Sequence, residues 1–263
     1  MCVFPRADAL SLHGPCVVVD TACTSGLVAL SVAAEALERG SCEAAIVASA
    51  NVILSVSLFN HFERALSPDA RCKSFDASAN GYCRSEAAVA LYLTHNQPKA
   101  LFSVGFFSIS RTNQGGLPPP DSDKLAGLMS SSWIRAKSQM DKVHFLEAHG
   151  SGSNAGDVAE FQALDRVFGQ HPVLLSSVKT SVGHTEAASG LVALLRVASL
   201  FQLNMLSPHL HFRQLNPKLE TASKLVIPVE SVALSKEFCN VSLSNRGFSG
   251  TNVHAMVKRC KCG

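Results

Sequence analysis

One six-residue segment occurs twice in the chain, and it constrains the fold more than any other feature. SGLVAL stands at residues 25–30 and again at residues 189–194, each time after an apolar, strand-like run and a polar turn. Both copies open a stretch rich in alanine and leucine, which predicts a buried helix. The matched context favours an internal duplication over coincidence. We therefore expect two related strand–helix halves whose turns meet at one site.

The turn before the first copy contains Cys23, at the predicted junction of a buried strand and a buried helix within residues 17–37. A thiol at this junction lies near the positive end of the helix dipole, which favours the thiolate and prepares a nucleophile. A single cysteine in an apolar run more often only packs in the core. The position at a strand-to-helix turn favours a functional interpretation, since other nucleophiles are presented in this way.

Two histidines occupy equivalent places in the pattern. His149 and His184 each stand beside a glycine at the end of an apolar strand, where a side chain points over the edge of a sheet. One such histidine is more often a packed or solvated side chain. Two of them favour a shared role in proton transfer or oxyanion binding, and together with Cys23 they suit acyl transfer.

Length and composition indicate one large core. The chain has 263 residues, of which 47% are hydrophobic and 16% charged, and strand and helix patterns alternate along it. This is typical of the α/β class. We predict a single domain over residues 1–263, with an N-terminal half at 1–110, a connecting loop at 111–124 and a C-terminal half at 125–263.

Several classes of function are disfavoured by the composition. A net charge of +3 without a long basic block argues against nucleic acid as a partner. Neither a run of about 18 apolar residues nor a signal-peptide pattern is found, so we expect no membrane span and a cytoplasmic location, with plastid targeting left open. The nine scattered cysteines predict neither a disulfide framework nor a metal site.

Local patterns also predict individual elements. Residues 44–50 and 87–94 have the composition of strands, and residues 101–109 are expected to pair beside the second of them. Asp157 and Glu160 have the spacing of a capping box at the start of a helix that runs to Phe168.

Five segments together resemble the successive motifs of β-ketoacyl synthases, and most closely the ketosynthase domains of modular polyketide synthases. They are, in chain order, VDTACTSGLVAL, KSFDASANGYCRSE, VHFLEAHGSGSNAGD, SSVKTSVGHTEAASG and NRGFSGTNVH. Five motifs in the family order across nearly the whole chain are far more specific than any one of them. The resemblance implies a thiolase-like α/β fold of two layered halves with buried central helices, of which the first half is incomplete here.

The resemblance also implies a role for each matching residue. Cys23 would carry an acyl chain as a thioester, and His149 and His184 would promote decarboxylation of a malonyl unit and stabilise the enolate. The backbone N–H groups of Cys23 and Phe248 would form the oxyanion hole. The remaining assignments are Lys179 as an organiser of charge near the histidines, Asp157, Glu160 and Glu186 as supporting charges, and Ser151, Ser153, Phe248 and Arg246 as substrate- or pantetheine-binding residues.

The implied reaction is a decarboxylative Claisen condensation in polyketide or fatty acid biosynthesis. The implied partners are an acyl carrier protein, a second copy in a homodimer and other polyketide synthase domains. No cofactor is expected on this chain, because the substrates are carried on the phosphopantetheine of the carrier protein.

Three residues depart from the family pattern, namely Thr24, Ser85 and Arg246. The last of them either changes the polarity of the acyl pocket or pairs with Glu186. Only 22 residues precede Cys23, where the family has a long segment, so we expect the isolated chain to be partly molten or prone to aggregation and to show little or no condensing activity.

Three alternatives to this function are kept. The chain could be a truncated, non-catalytic ketosynthase-like protein that acts as a structural partner or is an incomplete gene product. A cysteine hydrolase would explain Cys23 but not both histidines and Lys179. A condensing enzyme of the Cys-His-Asn type is disfavoured, because His184 stands where that type has asparagine.

Overall fold

Strands and helices alternate along the chain, as the sequence predicts for an α/β protein. The structure, a computed structural model, describes residues 12–57, 62–95, 97, 100–111, 120–135, 142–219, 223–235 and 237–260. The helices are α1 (Ser25–Glu38), α2 (Ser122–Arg135), α3 (Asn154–Phe168), α4 (Lys179–Val182) and α5 (Ser189–Leu203), with 3-10 turns at Glu63–Ala65, Glu186–Ala188 and Pro217–Leu219. The strands are β1 (Ala44–Asn51), β2 (Ala87–Thr94), β3 (Phe102–Arg111), β4 (Phe145–Glu147), β5 (Val173–Ser176), β6 (Met205–Leu206), β7 (Leu225–Val226), β8 (Val232–Ala233), β9 (Asn240–Arg246) and β10 (Thr251–Arg259).

A mixed sheet of six strands has the order β3-β10-β9-β4-β5-β7. β10 runs antiparallel to both β3 and β9, whereas β9, β4, β5 and β7 are parallel to one another. The carboxyl ends of β9, β4 and β5 therefore reach the same edge of the sheet, and the loops that follow them emerge side by side. β1 and β2 form a separate antiparallel pair, and so do the short β6 and β8.

Alternating side chains of β10 show that helices cover both faces of this sheet. Val253 belongs to a core cluster with Leu27 of α1 and Leu191 of α5. Met256, on the opposite face, belongs to a second cluster with Phe161 of α3. Strands β1 and β2 contribute to the first cluster and contact α1 and α5. The layers therefore follow the order α2 and α3, the six-stranded sheet, α1 and α5, and then β1 with β2.

The two SGLVAL helices pack against each other through reciprocal contacts between glycine and leucine. A Cβ atom added at Gly26 would lie 2.9 Å from Leu191 Cγ, and one added at Gly190 would lie 2.5 Å from Leu27 Cγ. Leu191 thus packs in the space that Gly26 leaves open, and Leu27 packs in the space that Gly190 leaves open. Both leucines are fully buried. The repeated segment marks a close contact of two central helices, where only a residue without a side chain leaves room.

The segment before Cys23 is not the buried strand that the sequence predicts. Val17 and Val18 are 52% and 56% exposed, and residues 14–20 pair with no strand in the described part of the chain. Apolar composition indicated burial, but burial also needs a neighbouring element, and the described ranges supply none beside these valines. An apolar groove of about 730 Å³ lies between this segment, α1 and β1.

Two further element predictions need correction. Residues 87–94 do form a strand, but β3 pairs with β10 and not with β2. The predicted capping box of Asp157 and Glu160 is also wrong. The N-cap residue of α3 is Ser153, the helix begins at Asn154, and Asp157 lies within its first turn. The division of the chain at residues 111–124 stays a prediction, because residues 112–119 lie outside the described ranges.

One helical segment is long and apolar enough to cross a membrane, although the sequence analysis found no such run. It covers Glu186–Leu203, and 56% of it is buried inside the protein. Leu194 and Val197 of this segment pack in the first core cluster, against the sheet. A buried core helix meets the same criteria of length and composition, and we interpret the segment as one.

Candidate active site

Loops that follow the parallel strands meet the N-terminus of α1 at one edge of the sheet. Residues 148–153 follow β4, residues 177–184 follow β5 and residues 247–250 follow β9. His149 and His184 lie on the first two loops, and their ring centroids are 5.3 Å apart. Gly150 next to His149 has a φ of +37°, and a Cβ atom there would lie 2.8 Å from Ser177 Cβ. This loop therefore requires the glycine beside its histidine.

Asn245, at the end of β9, connects Cys23 to His149. Its Nδ2 donates to the Cys23 carbonyl oxygen at 3.2 Å, and its Oδ1 lies 2.9 Å from His149 Nδ1. Ser189 at the start of α5 also donates to the Cys23 carbonyl, at 3.1 Å. The two histidines and the cysteine predicted from the sequence are thus gathered at one site. Sequence analysis gave Asn245 no role, although it opens the fifth quoted motif.

The backbone at the nucleophile is strained. Ala22, immediately before Cys23, has a φ of +56°, which is uncommon for a residue other than glycine. Ser25 holds this turn closed, because its Oγ donates to the Ala22 carbonyl at 2.6 Å and accepts the Thr21 N–H at 3.0 Å. Such strain persists only where the surroundings fix it, and a sharp turn of this kind presents a nucleophile at the top of a helix.

The Cys23 thiol is protonated at rest, contrary to the prediction of a favoured thiolate. Burial, with a smaller contribution from the nearby negative charge of Glu186, raises the pKa of this thiol to about 12. The Phe248 N–H and the charge of Lys179 act in the opposite direction but are smaller. The thiol donates to Glu186 Oε2 at 3.6 Å. The Phe248 backbone N–H acts on the same thiol. It lies beside the sulphur, where the family resemblance implies an oxyanion-hole donor.

His184 is a neutral imidazole whose tautomer follows from its hydrogen bonds. Its Nδ1 accepts the Glu186 N–H at 3.3 Å. A neutral imidazole has only one nitrogen that can accept, so Nε2 carries the proton. Burial holds the pKa of His184 well below its usual range, and the charges of Lys179 and Arg84 lower it further. His184 can therefore donate a hydrogen bond from Nε2 to a substrate oxygen.

His149 is likewise neutral and buried. Burial holds its pKa well below the usual range, with further lowering by Lys179 and Arg246. Its Nδ1 lies 2.9 Å from Asn245 Oδ1 and 3.2 Å from the Arg246 N–H. Because the Asn245 amide is oriented by its bond to the Cys23 carbonyl, Oδ1 faces the ring as an acceptor. The Arg246 N–H donates to the same nitrogen, so Nδ1 is engaged by two protein groups that require opposite tautomers.

Two buried carboxylates hold the loop that carries His149. Glu160 accepts the backbone N–H groups of His149 at 2.8 Å and Gly150 at 2.9 Å. Asp157 accepts those of Phe75 at 2.9 Å and Gly152 at 3.2 Å. Burial raises the pKa of Asp157 to about 7 in spite of these bonds. The acidic residues thus bind loop backbone instead of capping α3.

Arg246 pairs with Glu160 and not with Glu186. Its Nη2 lies 3.8 Å from Glu160 Oε2, and Gly156 leaves the room for it, since a Cβ atom there would lie 2.9 Å from the same nitrogen. Glu186 instead pairs with Arg84, whose Nε is 3.5 Å from Glu186 Oε1. The predicted alternative of an Arg246–Glu186 pair is therefore wrong.

Lys179 is buried near the site. Burial lowers the pKa of its ammonium group, while the carboxylates of Glu147 and Glu160 oppose this effect. Its charge acts on Cys23 and on both histidines. This placement fits the predicted organiser of charge.

The residues predicted to bind substrate lie on two of the loops. Ser151 and Ser153 follow His149, and their hydroxyl oxygens are 3.0 Å apart. Phe248 is 58% exposed, with its ring against that of Phe62 at a centroid distance of 6.1 Å. Ser151 is therefore buried with its hydroxyl paired to that of Ser153, whereas the Phe248 ring is exposed.

One trio of side chains has the spacing of a metal site, although the sequence predicted none. Ligand atoms of Cys23, His184 and Glu186 all lie within 4.8 Å of one another. Two features disfavour a cation there. The accepting nitrogen of His184 is already used by the Glu186 N–H, and Arg84 already neutralises Glu186. These side chains therefore already satisfy one another without a cation.

Comparison with known families gives two matches in chain order. The family model described as "Beta-ketoacyl synthase, N-terminal domain" matches residues 7–98, and "Beta-ketoacyl synthase, C-terminal domain" matches residues 103–213. Together they account for most of the chain.

The curated relatives include polyketide synthases. A non-reducing polyketide synthase of Penicillium roqueforti is 33% identical over 94% of this chain and 11% of its own length. A highly reducing polyketide synthase of Alternaria alternata is 36% identical over 94% of this chain and 10% of its own length. The chain thus spans about a tenth of these relatives.

Solved ketosynthases share the fold. The ketosynthase from module 6 of the bacillaene synthase of Bacillus subtilis 168 superposes with a TM-score of 0.90 at 27% identity, over 96% of this chain and 49% of that one. An oxazolomycin ketosynthase domain from Streptomyces albus gives a TM-score of 0.89 at 29% identity, over 95% of this chain and 47% of that one. The predicted thiolase-like α/β fold is confirmed, and the chain belongs to the β-ketoacyl synthase family, as a domain of the polyketide synthase type.

Proposed function

We propose that this chain catalyses the decarboxylative Claisen condensation of an acyl group on Cys23 with a malonyl-type unit on an acyl carrier protein. One observation carries the proposal: a buried thiol, two neutral histidines and a backbone donor converge at the edge of the sheet. The histidine rings are 5.3 Å apart, and Asn245 connects one of them to the Cys23 backbone.

The first half-reaction loads the acyl chain. The Cys23 sulphur attacks the carbonyl carbon of an acyl thioester and loses its proton as the new C–S bond forms. The backbone N–H groups of Cys23 and Phe248 stabilise the oxyanion, and each such donor is typically worth about 3–4 kcal/mol in the transition state. The carrier thiol then leaves with a proton, and the acyl chain remains on Cys23.

The second half-reaction forms the carbon–carbon bond. His184 donates from Nε2 to the thioester oxygen of the malonyl unit, which favours loss of carbon dioxide because the developing enolate gains a hydrogen bond. The enolate carbon attacks the Cys23 thioester, the C–S bond breaks and the Cys23 thiolate takes up a proton. His149 assists at the same oxygen, and Lys179 contributes a fixed positive charge.

The proposal extends to partners and location. Substrates arrive on the phosphopantetheine of an acyl carrier protein, and Ser151 and Ser153 hydrogen-bond that arm. The chain works as a homodimer with other polyketide synthase domains in the cytoplasm. The polyketide synthases to which the chain is similar favour polyketide over fatty acid chemistry.

Intact-protein mass spectrometry after incubation with an acyl thioester and malonyl carrier protein tests both half-reactions. We expect the parent sequence, tested within a complete ketosynthase, to load and to condense. His149→Ala and His184→Ala should load but fail to condense, because loading depends on the thiol and the oxyanion hole. Cys23→Ala should do neither. The exposed His171 provides a matched control, and His171→Ala should behave like the parent. Loss of loading in both histidine variants with an intact fold would contradict the assigned roles.

A second candidate is a non-catalytic structural partner. It is favoured by the exposed apolar face that Val17, Ile46 and Tyr92 form around the groove beside α1. A soluble, folded chain that neither loads an acyl group nor releases carbon dioxide from malonyl carrier protein would support this candidate over the condensing enzyme.

A further inference from the structure

The Cys23 thiol donates its hydrogen bond to a carboxylate and not to a histidine. Its Sγ lies 3.6 Å from Glu186 Oε2. Among the described residues, neither His149 nor His184 forms a hydrogen bond with this thiol. The group placed to receive the thiol proton is therefore Glu186, to which the sequence analysis gave only a supporting charge.

His184 is a poor acceptor for that proton because of its tautomer. Its accepting nitrogen, Nδ1, is occupied by the Glu186 backbone N–H at 3.3 Å, and Nε2 is a donor. His149 is held by Asn245 on its Nδ1 side. Among the described side chains, Glu186 is therefore the base that is in contact with the thiol.

The Glu186 carboxylate is held in place for this contact. Arg84 Nε lies 3.5 Å from Oε1, so the two carboxylate oxygens are divided between Arg84 and Cys23. Burial raises the pKa of the Glu186 carboxyl, while the nearby Tyr82 hydroxyl lowers it. Glu186 has a φ of +45°, an uncommon conformation that persists where the structure fixes it. The Glu186 carboxylate is thus held in one orientation toward Cys23, which a residue that only supplied negative charge near the site would not need.

We infer that Glu186 is the general base that takes the Cys23 proton during acyl loading, an inference that rests on the proposed function. The proton moves from Sγ to Oε2 as the sulphur attacks the thioester carbon. When the tetrahedral intermediate collapses, the bond from carbon to the carrier sulphur breaks, and the departing thiolate receives the proton from Glu186. Glu186 is again a carboxylate at the end of the step, and no further reactant is consumed.

The rate of loading from hexanoyl-S-N-acetylcysteamine, followed by intact-protein mass spectrometry across pH, tests this role. We expect Glu186→Gln to slow loading about 100-fold or more, the usual effect of removing a general base. The parent rate should fall at acidic pH as Glu186 is protonated, and this acid limb should be missing in Glu186→Gln. Glu186→Asp keeps a carboxylate and should retain the limb at a reduced rate, which a purely structural role would not explain. Glu35→Gln, on the exposed side of α1, is the control and should match the parent.

A second measurement needs no turnover. The infrared S–H stretching band of Cys23, obtained as the difference between the parent and Cys23→Ser, should move to higher wavenumber in Glu186→Gln because the amide is a weaker acceptor. An unshifted band, or loading of Glu186→Gln at the parental rate, would overturn the inference. If Glu186→Gln loads at the parental rate and His149→Ala does not load, His149 is the base instead of Glu186. A parent chain that does not load would overturn the proposed function as well, and the infrared band would then show separately whether the contact exists.

Discussion

At Cys23, two effects on the thiol act in opposite directions, and their magnitudes decide its state. A helix N-terminus contributes about 0.3–1 kcal/mol and up to about 2 kcal/mol in favour of the thiolate. A rise of the pKa from 9.0 to about 12 corresponds to about 4 kcal/mol against it. Burial and Glu186 therefore outweigh the dipole. The cysteine is activated when a base and a substrate are present, and not by a permanently low pKa.

This balance predicts which cysteine reacts with which reagent. A small, unselective alkylating agent such as iodoacetamide should modify the exposed Cys16 before the buried Cys23. Cerulenin, an acyl-chain-like electrophile, should modify Cys23 first because it can occupy the acyl site. Peptide mapping after brief labelling measures both rates, and Cys16→Ser removes the competing site. Dominant cerulenin labelling at Cys72 or Cys83 would contradict the assignment of Cys23 as the nucleophile.

Single residues differ in how far the sequence determines them. Cys23, His149 and His184 could be predicted because each stands at a recognisable junction of local patterns. The contacts that set their protonation could not. Glu186 reaches Cys23 across 163 positions of the chain, and Asn245 reaches it across 222. Such pairs depend on the arrangement of layers, about which local periodicity carries no information.

At the level of elements, the repeated helix segment was the most informative sequence feature. The repeated SGLVAL segment predicted two central helices. In the structure these helices pack together, with the glycine of each against the leucine of the other. Strand pairing was less accessible, because the local pattern that identified residues 101–109 as a strand said nothing of its neighbour. The predicted burial of Val17 and Val18 was wrong for a related reason, since apolar residues are buried only where another element lies against them.

The helix contact predicts opposite effects for two glycine-to-alanine changes. Gly190→Ala should destabilise the protein by about 1–3 kcal/mol, because its new Cβ would lie 2.5 Å from Leu27 Cγ and force the helices apart. Gly127→Ala in α2 meets nothing within 4 Å and should stabilise by about 0.4–1 kcal/mol through the lower entropy of the unfolded chain. Urea unfolding followed by circular dichroism gives both values. Equal effects of the two changes would show that the helices can separate without cost.

At the level of the whole molecule, the site exists because of sheet direction. β9, β4 and β5 are parallel, so the loops that carry Phe248, His149 and His184 emerge at one edge. The layer of α1 and α5 beneath that edge brings the Cys23 turn to the same place. No single element contains the chemistry. The family resemblance could supply the residues in advance, whereas only the layered arrangement explains why they meet.

The layers also predict unequal local stability. β9 and β10 lie inside the six-stranded sheet and are covered on both faces, whereas β1 and β2 pair only with each other among the described strands, and Tyr92 of β2 is 72% exposed. Amide hydrogens of β1 and β2 should therefore exchange about 100-fold faster or more, a difference of about 2.7 kcal/mol in opening free energy. Hydrogen exchange with mass spectrometry, resolved by peptide, measures this.

Strand β3 provides an internal control for that experiment. It is also an edge strand with one partner, β10, but both of its faces are covered, since Val104 and Phe107 pack against the first core cluster and Ser108 contacts Ser131 of α2. If exposure of a face controls exchange, β3 should be slower than β1 and β2. If edge position alone controls it, the three strands should exchange alike. Slow, uniform exchange through β1 and β2 in a soluble chain would contradict the prediction, and it would mean that the apolar face beside α1 is covered in solution, by a second copy or by residues outside the described ranges.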